Sequence, residues 1–432
     1  MTFAMMPPRD QLVTIMKRIY DNGMTTLSGG NLSIKDPNGD IWITPAGVDK
    51  GALTPDDIIC TRVDGTTVGP HRPSSELPFH RAIYARRPDI NAVVHAHPPA
   101  LVSFSIVREV PDTRIIPQVS RVCGQVGYAP YALTGSEQLG VSIAETFDKG
   151  HNAIILENHG AATVGNDLLD AFQRLETLEF CARTLIAARK LGRIRMLGDT
   201  ELDLFQTRQV DLGEFVPDYH SSHERELRQH MTRIVQRAVQ RHLMMSTAGV
   251  VSARLDADSF LITPMGVDRG TVANDDIVLI REGQREQGKH PSRSVLLHQA
   301  IYAHHPEIHT IITTQCPAVT AYATVDVHFN SHTIPESYIL LRNVPKIPFD
   351  RFYNDLEAVA RGVALHTPVT IVENDCVLVV GTDLLNAFDR LEVAEYSARS
   401  LIDASSLGPV ISIADEEIRE LDVAFNLSAA SE

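Results

Sequence analysis

Two histidines separated by one residue, His95 and His97, stand at the end of an apolar segment and could bind a metal ion. Residues 90–94 are mostly apolar, which is typical of a buried strand. Side chains two residues apart in a strand point to the same face, so the two imidazoles would lie side by side. Pro98 and Pro99 cannot continue the strand's hydrogen bonding and place the pair at its end. Imidazole is a common zinc ligand, although an isolated His-x-His is more often two polar residues on a half-exposed strand.

Two further residues complete a ligand set of one carboxylate and three imidazoles. Glu76 stands at the predicted start of a helix, and His159 follows a short apolar strand. Each alone has an ordinary structural explanation, because a glutamate at a helix N-terminus is stabilised by the helix dipole and a turn accommodates a histidine. Together with the His-x-His pair they predict a Zn²⁺ site, with Mn²⁺, Co²⁺ or Fe²⁺ as alternatives. Three histidines and a displaceable carboxylate leave a position open to substrate, which is typical of a catalytic metal site.

A second group of residues could bind an anion. Ser74 and Ser75 precede the same helix, and hydroxyls with free backbone N–H groups at a helix N-terminus bind anions such as phosphate. Asn31 and the turn at Ala46 and Gly47 could supply further donors. Plain helix capping is the alternative for the two serines. The residues alone leave both interpretations open.

The composition bounds the classes of protein to which this chain can belong. Its 432 residues suggest two or three domains, and its 44% hydrophobic and 22% charged residues are those of a globular protein. A net charge of −15 argues against nucleic-acid and anionic-membrane partners. We find no apolar run of the ~18 residues needed to span a bilayer, and residues 1–10 do not resemble a signal peptide. The five cysteines are scattered without a pairing pattern, so we predict reduced thiols and a cytoplasmic location.

The order of apolar segments predicts the fold class. Short strands are separated by loops as often as by helices, which favours an α/β fold with a central, mostly antiparallel or mixed sheet covered by helices over a doubly wound parallel sheet. Residues 115–131 are predicted to form a long irregular connection. The predicted helices are 10–20, 74–84, 137–147 and 167–191, and the predicted strands include 41–44, 58–61 and 153–156.

The chain contains one long internal repeat. Residues 43–51 recur as 262–270 at an offset of 219 (263 minus 44), residues 80–85 as 298–303 at 218 (298 minus 80), and residues 172–176 as 388–392 at 216 (388 minus 172). Three matches in the same order at nearly one offset indicate a duplicated domain. We predict two domains, 1–215 and 222–432, joined through the polar segment 193–221.

The second copy lacks the residues that carry chemistry in the first. The positions of Asn31, Glu76, His95, His97 and His159 are occupied by Val250, Ser294, Thr313, Gln315 and Asp375. A residue needed for the fold would tend to persist in both copies, whereas a catalytic residue can be lost from one copy without unfolding it. This difference favours a metal site in the first copy and a scaffold or regulatory role, without metal ligands, for the second.

The first copy resembles the class II aldolase/adducin family over its whole length. The resemblance rests on residues 30–33, 43–47, 74–76, 95–97 and 157–160, which follow one another in family order. It implies a three-layer α/β/α domain and a divalent metal, usually zinc, held by the three histidines. The residue at the position of Glu76 is then the acid/base, and the loops that contain Asn31, Ala46 and Ser74 bind the substrate phosphate.

Within this family the resemblance favours the sugar-phosphate aldolases, such as L-fuculose-1-phosphate aldolase. The epimerase branch carries an aspartate at the position of Glu76. The predicted function is therefore metal-dependent retro-aldol cleavage of a ketose 1-phosphate to dihydroxyacetone phosphate and an aldehyde. The alternatives are decarboxylation, dehydration or epimerisation of a related phosphosugar or hydroxy acid, and a non-enzymatic, adducin-like assembly module. Ala46, where the family often has threonine, keeps a non-phosphorylated substrate open.

The resemblance also has consequences for assembly. Family aldolases form four-fold rings with sites between subunits, and a neighbouring subunit donates a tyrosine. The matching loop of the first copy, 116–121, has no tyrosine, whereas the second copy has Tyr338 in the corresponding loop. The resemblance thus implies a homo-oligomer, either a dimer forming a pseudo-four-fold ring or a higher assembly. Tyr338 is then a candidate catalytic residue near the metal of a first copy.

Overall fold

The computed structural model describes residues 3–207 and 210–427, and the chain divides into two compact units. The first unit runs to Thr113 and continues over Val119–Arg183, and the second comprises Arg114–Gln118 and the chain from Thr184 onwards. The division falls inside the helix Leu168–Leu191 and not in the polar segment expected to join the domains. The limits 1–215 and 222–432 stay a prediction.

The first unit is built on an eight-stranded sheet within the described residues. Its strands are β1 (Asn31–Lys35), β2 (Ile41–Ile43), β3 (Ile59–Thr61), β4 (Thr67–Val68), β5 (Ala92–Ala96), β6 (Gly127–Ala129), β7 (Ala153–Leu156) and β8 (Gly160–Gly165). Its helices are α1 (Pro8–Asp21), α2 (Leu77–Arg86), α3 (Pro99–Ile106), α4 (Pro117–Cys123), α5 (Glu137–Asp148) and α6 (Leu168–Leu191), of which α4 and α6 extend across the division.

The strand order confirms a mixed, mostly antiparallel sheet. The order is β4-β3-β2-β1-β5-β8-β7-β6, and β6 and β7 are the parallel pair. In the antiparallel register of β1 and β5, Asn31 lies opposite His95, and His95 lies opposite Ala162 of β8. Two of the residues that were predicted to do chemistry, Asn31 and His95, therefore lie side by side on neighbouring strands.

Helices cover both faces of this sheet. Ile43 faces α2 and α5, where it shares an apolar cluster with Phe79 and Ile143, all at most 2% exposed. Trp42 precedes Ile43 and points to the opposite face, where Arg9 of α1 stacks on its ring at 5.0 Å. Burying an aliphatic side chain such as that of Ile43 or Ile143 contributes about 1.5–3 kcal/mol to stability. The layers are helix, sheet and helix, as the resemblance implied.

The second unit repeats this architecture with a nine-stranded sheet among its described residues. Its strands are β9 (Glu214–Phe215), β10 (Val250–Arg254), β11 (Ser259–Ile262), β12 (Val278–Arg281), β13 (Gln284–Glu286), β14 (Thr310–Thr314), β15 (Lys346–Ile347), β16 (Val369–Val372) and β17 (Val377–Gly381). Its helices are α7 (Asp199–Thr207), α8 (Ser222–Gln240), α9 (Val295–His304), α10 (Pro317–Ala323), α11 (Pro335–Leu341), α12 (Phe349–Asn354), α13 (Leu356–Gly362), α14 (Leu384–Ala404) and α15 (Asp415–Ala424).

The sheet order of the second unit is β15-β16-β17-β14-β10-β11-β12-β13-β9. Val250 of β10 pairs with Thr313 of β14, in the same register as Asn31 and His95. Where the described chain is helical, we find no helix long and apolar enough to cross a membrane.

Two segments are more regular than the sequence predicted. Residues 115–131 contain α4 and β6, and the polar segment 193–221 contains α7 and β9. The expectation of irregular structure in residues 115–131 was wrong because the elements there are short. A strand of two or three residues shows no readable alternation of polar and apolar side chains.

Candidate functional site

The candidate ligands come from three places at one end of the first sheet. His95 is near the end of β5, and His97 follows the strand, where its backbone N–H donates to Met24 O at 3.1 Å. His159 lies in the turn between β7 and β8, after Asn158 with a φ of 51°. Glu76 directly precedes α2. The structure therefore brings together all four residues that the sequence singled out as ligands.

The spacing of the imidazole nitrogens suits a metal ion. Nε2 of His97 lies 3.2 Å from Nε2 of His95, and one nitrogen from each of these two and from His159 lies within 4.8 Å of the others. Two nitrogens at the usual zinc distance of about 2.0–2.1 Å in a tetrahedral site would be about 3.3 Å apart. Among residues 3–207 and 210–427, this is the one group of three histidine, cysteine or acidic residues with such spacing. The donor set fits a divalent ion.

The carboxylate of Glu76 adjoins the imidazoles. Its Oε2 lies 3.3 Å from Nε2 of His95, and its Oε1 lies 3.8 Å from Nε2 of His159. Asn31 donates from Nδ2 to Oε2 at 2.6 Å. Glu76 is 8% exposed, so the carboxylate is held inside the unit and can reach the position that a metal would occupy.

Burial keeps the three imidazoles neutral, which is the form that binds metals. Burial is the main cause that lowers the pKa of His95 to about 3, and the electrostatic effect of His159 is the second. Burial is the main cause that lowers the pKa of His97 to about 3, and the electrostatic effect of His95 is the second. Burial also lowers the pKa of His159. Nδ1 of His95 lies 2.9 Å from the carbonyl of Ala161, which can only accept, so Nδ1 carries the proton and Nε2 keeps its lone pair.

A glycine allows the β7–β8 turn to approach this centre. A Cβ added to Gly160 would lie 2.6 Å from Ala96 O and 2.7 Å from Cδ2 of His97. A side chain at this position would push the turn that carries His159 away from the end of β5.

The predicted phosphate-binding segments lie next to each other. The backbone N–H of Ser74 donates to Thr44 O at 3.2 Å, which sets the serines beside the turn at Ala46 and Gly47. Ala46, Gly47 and Ser75 are exposed, and Gly47 has a φ of 69°, a conformation that favours glycine. Asn31, in contrast, is buried with its amide directed to Glu76.

Tyr338 lies in α11 of the second unit and is 9% exposed. Its hydroxyl donates to Oδ1 of Asp422 at 2.7 Å. Burial, and after it the hydrogen bond to Asp422, raises the pKa of this hydroxyl. A catalytic role for Tyr338 would require the hydroxyl to leave Asp422, and that role stays a prediction.

A buried polar network that was not predicted from the sequence lies behind the site. Ser33 Oγ lies 2.6 Å from Nδ1 of His80 and 2.7 Å from the hydroxyl of Tyr84. The available signal was the recurrence of His80 and Tyr84 as His298 and Tyr302, two polar residues kept on a helix face that otherwise packs in the core.

The corresponding position of the second copy is occupied by its own side chains. Nε2 of Gln315 lies 3.5 Å from Oδ1 of Asp375, and the hydroxyl of Tyr353 donates to the other carboxylate oxygen. Asp375 is 6% exposed. The side chains that replace two of the histidines thus contact each other.

Comparison with known proteins places this architecture in a family. The family model described as the class II aldolase and adducin N-terminal domain matches residues 10–186 and again residues 229–402. The chain belongs to the class II aldolase and adducin family. Because the model matches twice, this class II aldolase-family chain is a tandem duplication, as the internal repeat predicted.

Three curated relatives of this class II aldolase-family chain match at similar identity. The 5-deoxy-D-ribulose 1-phosphate aldolase of Bacillus thuringiensis serovar kurstaki is 32% identical over 45% of this chain and 92% of its own length. The L-fuculose phosphate aldolase of Methanococcus maripaludis is 35% identical over 40% of this chain and 93% of its own length. The 3-oxo-tetronate 4-phosphate decarboxylase of Haemophilus influenzae is 31% identical over 46% of this chain and 96% of its own length. These relatives are enzymes, and the chain is an enzyme of the same family.

Proposed function

We propose that the first copy is a divalent-metal-dependent lyase that cleaves a ketose 1-phosphate, of the fuculose phosphate kind, to dihydroxyacetone phosphate and an aldehyde. The observation that carries this proposal is the convergence of Glu76 with three neutral imidazoles at one end of the sheet. Two relatives named as aldolases of sugar phosphates support the substrate class.

The proposed ligands are His95, His97 and His159, with Glu76 as the fourth. Nitrogen and carboxylate donors of this kind favour Zn²⁺, with Mn²⁺, Co²⁺ or Fe²⁺ as alternatives. When bound, a divalent ion supplies Lewis-acid stabilisation of the negative charge that develops on the substrate's carbonyl oxygen. In this proposal the Glu76 carboxylate would help to hold the ion and would also serve as the acid/base.

Glu76 is proposed to move the protons of the reaction. Retro-aldol cleavage breaks the bond between C3 and C4 of the ketose; the C4 hydroxyl loses a proton, and C3 of the product gains one. A carboxylate that accepts a hydrogen bond from Asn31 at 2.6 Å and is screened from bulk water is held ready for such a transfer. General acid–base catalysis of this kind contributes about 10²–10⁴-fold in rate.

The substrate phosphate is proposed to bind at Ala46, Gly47, Ser74 and Ser75. Ser74 Oγ accepts the backbone N–H of Glu76 at 3.3 Å, which leaves the hydroxyl proton for a phosphate oxygen. The adjacent N-terminus of α2 favours a negative charge. Asn31, proposed from the sequence for the same role, would have to share its amide between the phosphate and Glu76.

The remaining sequence-based expectations stay part of this proposal. They are domain limits at 1–215 and 222–432, a homo-oligomer, Tyr338 as a catalytic residue, and a cytoplasmic location without nucleic-acid or membrane partners. The second copy, whose corresponding position holds Gln315 and Asp375, is proposed as a scaffold or regulatory domain.

Decarboxylation of a phosphorylated oxo acid is the second candidate. It is favoured by the decarboxylase relative, whose identity to this chain is similar to that of the aldolases. The ligand set and the proposed phosphate site would serve both reactions, and the bond that breaks would differ.

A panel of substrates separates the two reactions. Zinc-loaded full-length protein is assayed with ketose 1-phosphates, including L-fuculose 1-phosphate and 5-deoxy-D-ribulose 1-phosphate. Dihydroxyacetone phosphate is measured by coupled NADH oxidation, and CO₂ release is measured with 3-oxo-tetronate 4-phosphate. We expect dihydroxyacetone phosphate from at least one ketose, with a loss of roughly 100-fold or more in Glu76→Gln. Ser294→Ala, at the same position of the second copy, is the control and keeps the rate. CO₂ without dihydroxyacetone phosphate would replace the aldolase with the decarboxylase.

A further inference from the structure

A line of buried polar groups leads from the interior of the first unit to Glu76. Tyr84, Ser33 and His80 form its inner part, with the two distances from Ser33 Oγ given above. Nε2 of His80 lies 2.5 Å from Oδ1 of Asn31, whose Nδ2 donates to Oε2 of Glu76 at 2.6 Å. Ser33 and His80 are fully buried, so this line is part of the core and also touches the candidate metal centre.

The direction of each hydrogen bond follows from the chemistry of its ends. The Glu76 carboxylate only accepts, so the amide nitrogen of Asn31 faces it and the amide oxygen faces His80. That oxygen also only accepts, so Nε2 of His80 carries the proton and Nδ1 accepts from Ser33. Burial, and to a smaller extent the electrostatic effect of His95, lowers the pKa of His80. This direction agrees with a neutral ring that has one proton. A neutral His80 with this tautomer admits one orientation of the Asn31 amide.

The second copy shows which part of this line the fold requires. Ser252 Oγ lies 2.7 Å from Nδ1 of His298 and 2.8 Å from the hydroxyl of Tyr302, as in the first copy. Valine stands at the Asn31 position, and the serine at the Glu76 position lies with its Oγ 3.4 Å from Nε2 of His298. The serine–histidine–tyrosine core thus recurs where a serine replaces the glutamate, and in the first copy it continues through Asn31 to the Glu76 carboxylate.

We propose that His80 is a positioning residue of the metal centre, which acts through Asn31 to hold the Glu76 carboxylate beside the three imidazoles. This inference rests on the metal-dependent function proposed above. Without His80 the Asn31 amide loses the contact that fixes its orientation, and Glu76 loses a defined donor. Outer partners of metal ligands typically contribute 10–100-fold to metal affinity or activity.

The test measures Zn²⁺ affinity of the full chain by competition with a chromophoric chelator, so it does not depend on the reaction. His80→Phe removes the donor and keeps an aromatic ring beside Phe79, and His80→Gln keeps a donor. His298→Phe and His298→Gln make the same changes in the equivalent core of the second copy. Asn31→Val copies a residue that this fold already accommodates, and it is made alone and together with His80→Phe.

We expect His80→Phe and Asn31→Val each to weaken Zn²⁺ binding roughly 10–100-fold. The double variant should be no weaker than Asn31→Val, because His80 acts through Asn31. His80→Gln should recover most of the affinity, and both His298 variants should bind as the unaltered chain does. The His298 variants also report how much stability each change costs in a matched core, by their thermal midpoints.

Four results would contradict the proposals in distinguishable ways. Unchanged affinity in both Asn31→Val and His80→Phe would overturn the positioning role alone. Additive losses in the double variant would mean that His80 does not act through Asn31, and would overturn it as well. If His80→Phe does not fold, the Zn²⁺ affinities of Asn31→Val and His80→Gln test the positioning role. A chain that retains zinc and the His80 effects but cleaves no ketose phosphate would overturn the proposed aldolase function alone, and a chain that binds no metal would overturn both.

Discussion

Nε2 of His97 lies 3.2 Å from Nε2 of His95, although His97 has already left the strand that carries His95. The second copy has Gln315 at the His97 position, and its sheet has the eight corresponding strands in the same order, with β9 added at one edge. The fold therefore does not need a histidine there, and its chemical role can be tested without loss of the domain.

His97→Gln should abolish stoichiometric zinc binding and leave the protein folded. Removing one of four ligands should weaken Zn²⁺ affinity by roughly 100-fold or more, since even outer partners contribute 10–100-fold. Stability should change by about 1 kcal/mol or less, because a glutamine occupies the equivalent position. Metal content after gel filtration and the urea midpoint measure the two effects. His223→Gln, at an exposed position of the second unit, is the control, and equal zinc content in the two variants would remove His97 from the ligand set.

The fold class and the closeness of His95 and His97 could be predicted because each rests on a local pattern, whereas metal binding by these residues stays a prediction. The His-x-His pair at the end of an apolar segment predicted two neighbouring imidazoles, and His95 and His97 do face each other. Strands separated by loops as often as by helices predicted the mixed sheet. The internal repeat then predicted the duplication and distinguished the first copy from the second.

The contacts of the buried network could not be predicted because they join residues far apart in the chain. His80 meets Ser33 across 47 positions and Asn31 across 49. A helical pattern shows only that His80 lies on the inner face of α2, and does not show which strand supplies its partner. The contact of Tyr338 with Asp422, 84 residues away, was hidden for the same reason.

Tyr338→Phe tests whether this tyrosine takes part in the reaction. The proposed catalytic role predicts a fall of roughly 100-fold in kcat, as for loss of a general acid, with zinc content unchanged. Loss of the hydrogen bond to Asp422 should also cost about 1 kcal/mol of stability.

Asp422→Asn separates the two effects, because it weakens the acceptor of this hydrogen bond and keeps the tyrosine hydroxyl. We expect it to lower the urea midpoint slightly and to keep kcat. If kcat in Tyr338→Phe equals that of the unaltered chain, Tyr338 serves only to hold α15 through Asp422.

A buried glutamate predicts how stability depends on pH. Glu395 of α14 is 3% exposed and accepts the backbone N–H groups of Ala318 and Val319 at 2.9–3.1 Å, at the start of α10. Burial is the main cause that raises the pKa of this carboxyl from 4.5 to about 7. The folded state therefore binds a proton that the unfolded chain has released between these two pH values. The stabilisation is full below pH 4.5 and decreases as the pH rises to about 7.

Glu395→Gln should remove this pH dependence. Gln cannot ionise and still offers one oxygen to the two N–H groups, so the free energy of unfolding of the variant relative to the unaltered chain should rise between pH 5 and pH 8. The rise should be roughly 3 kcal/mol, at about 1.4 kcal/mol for each pKa unit. Urea unfolding followed by circular dichroism at several pH values measures it, with the exposed Glu420→Gln as the control. Parallel pH profiles for Glu395→Gln and the unaltered chain would show that Glu395 is ionised in the fold throughout this range.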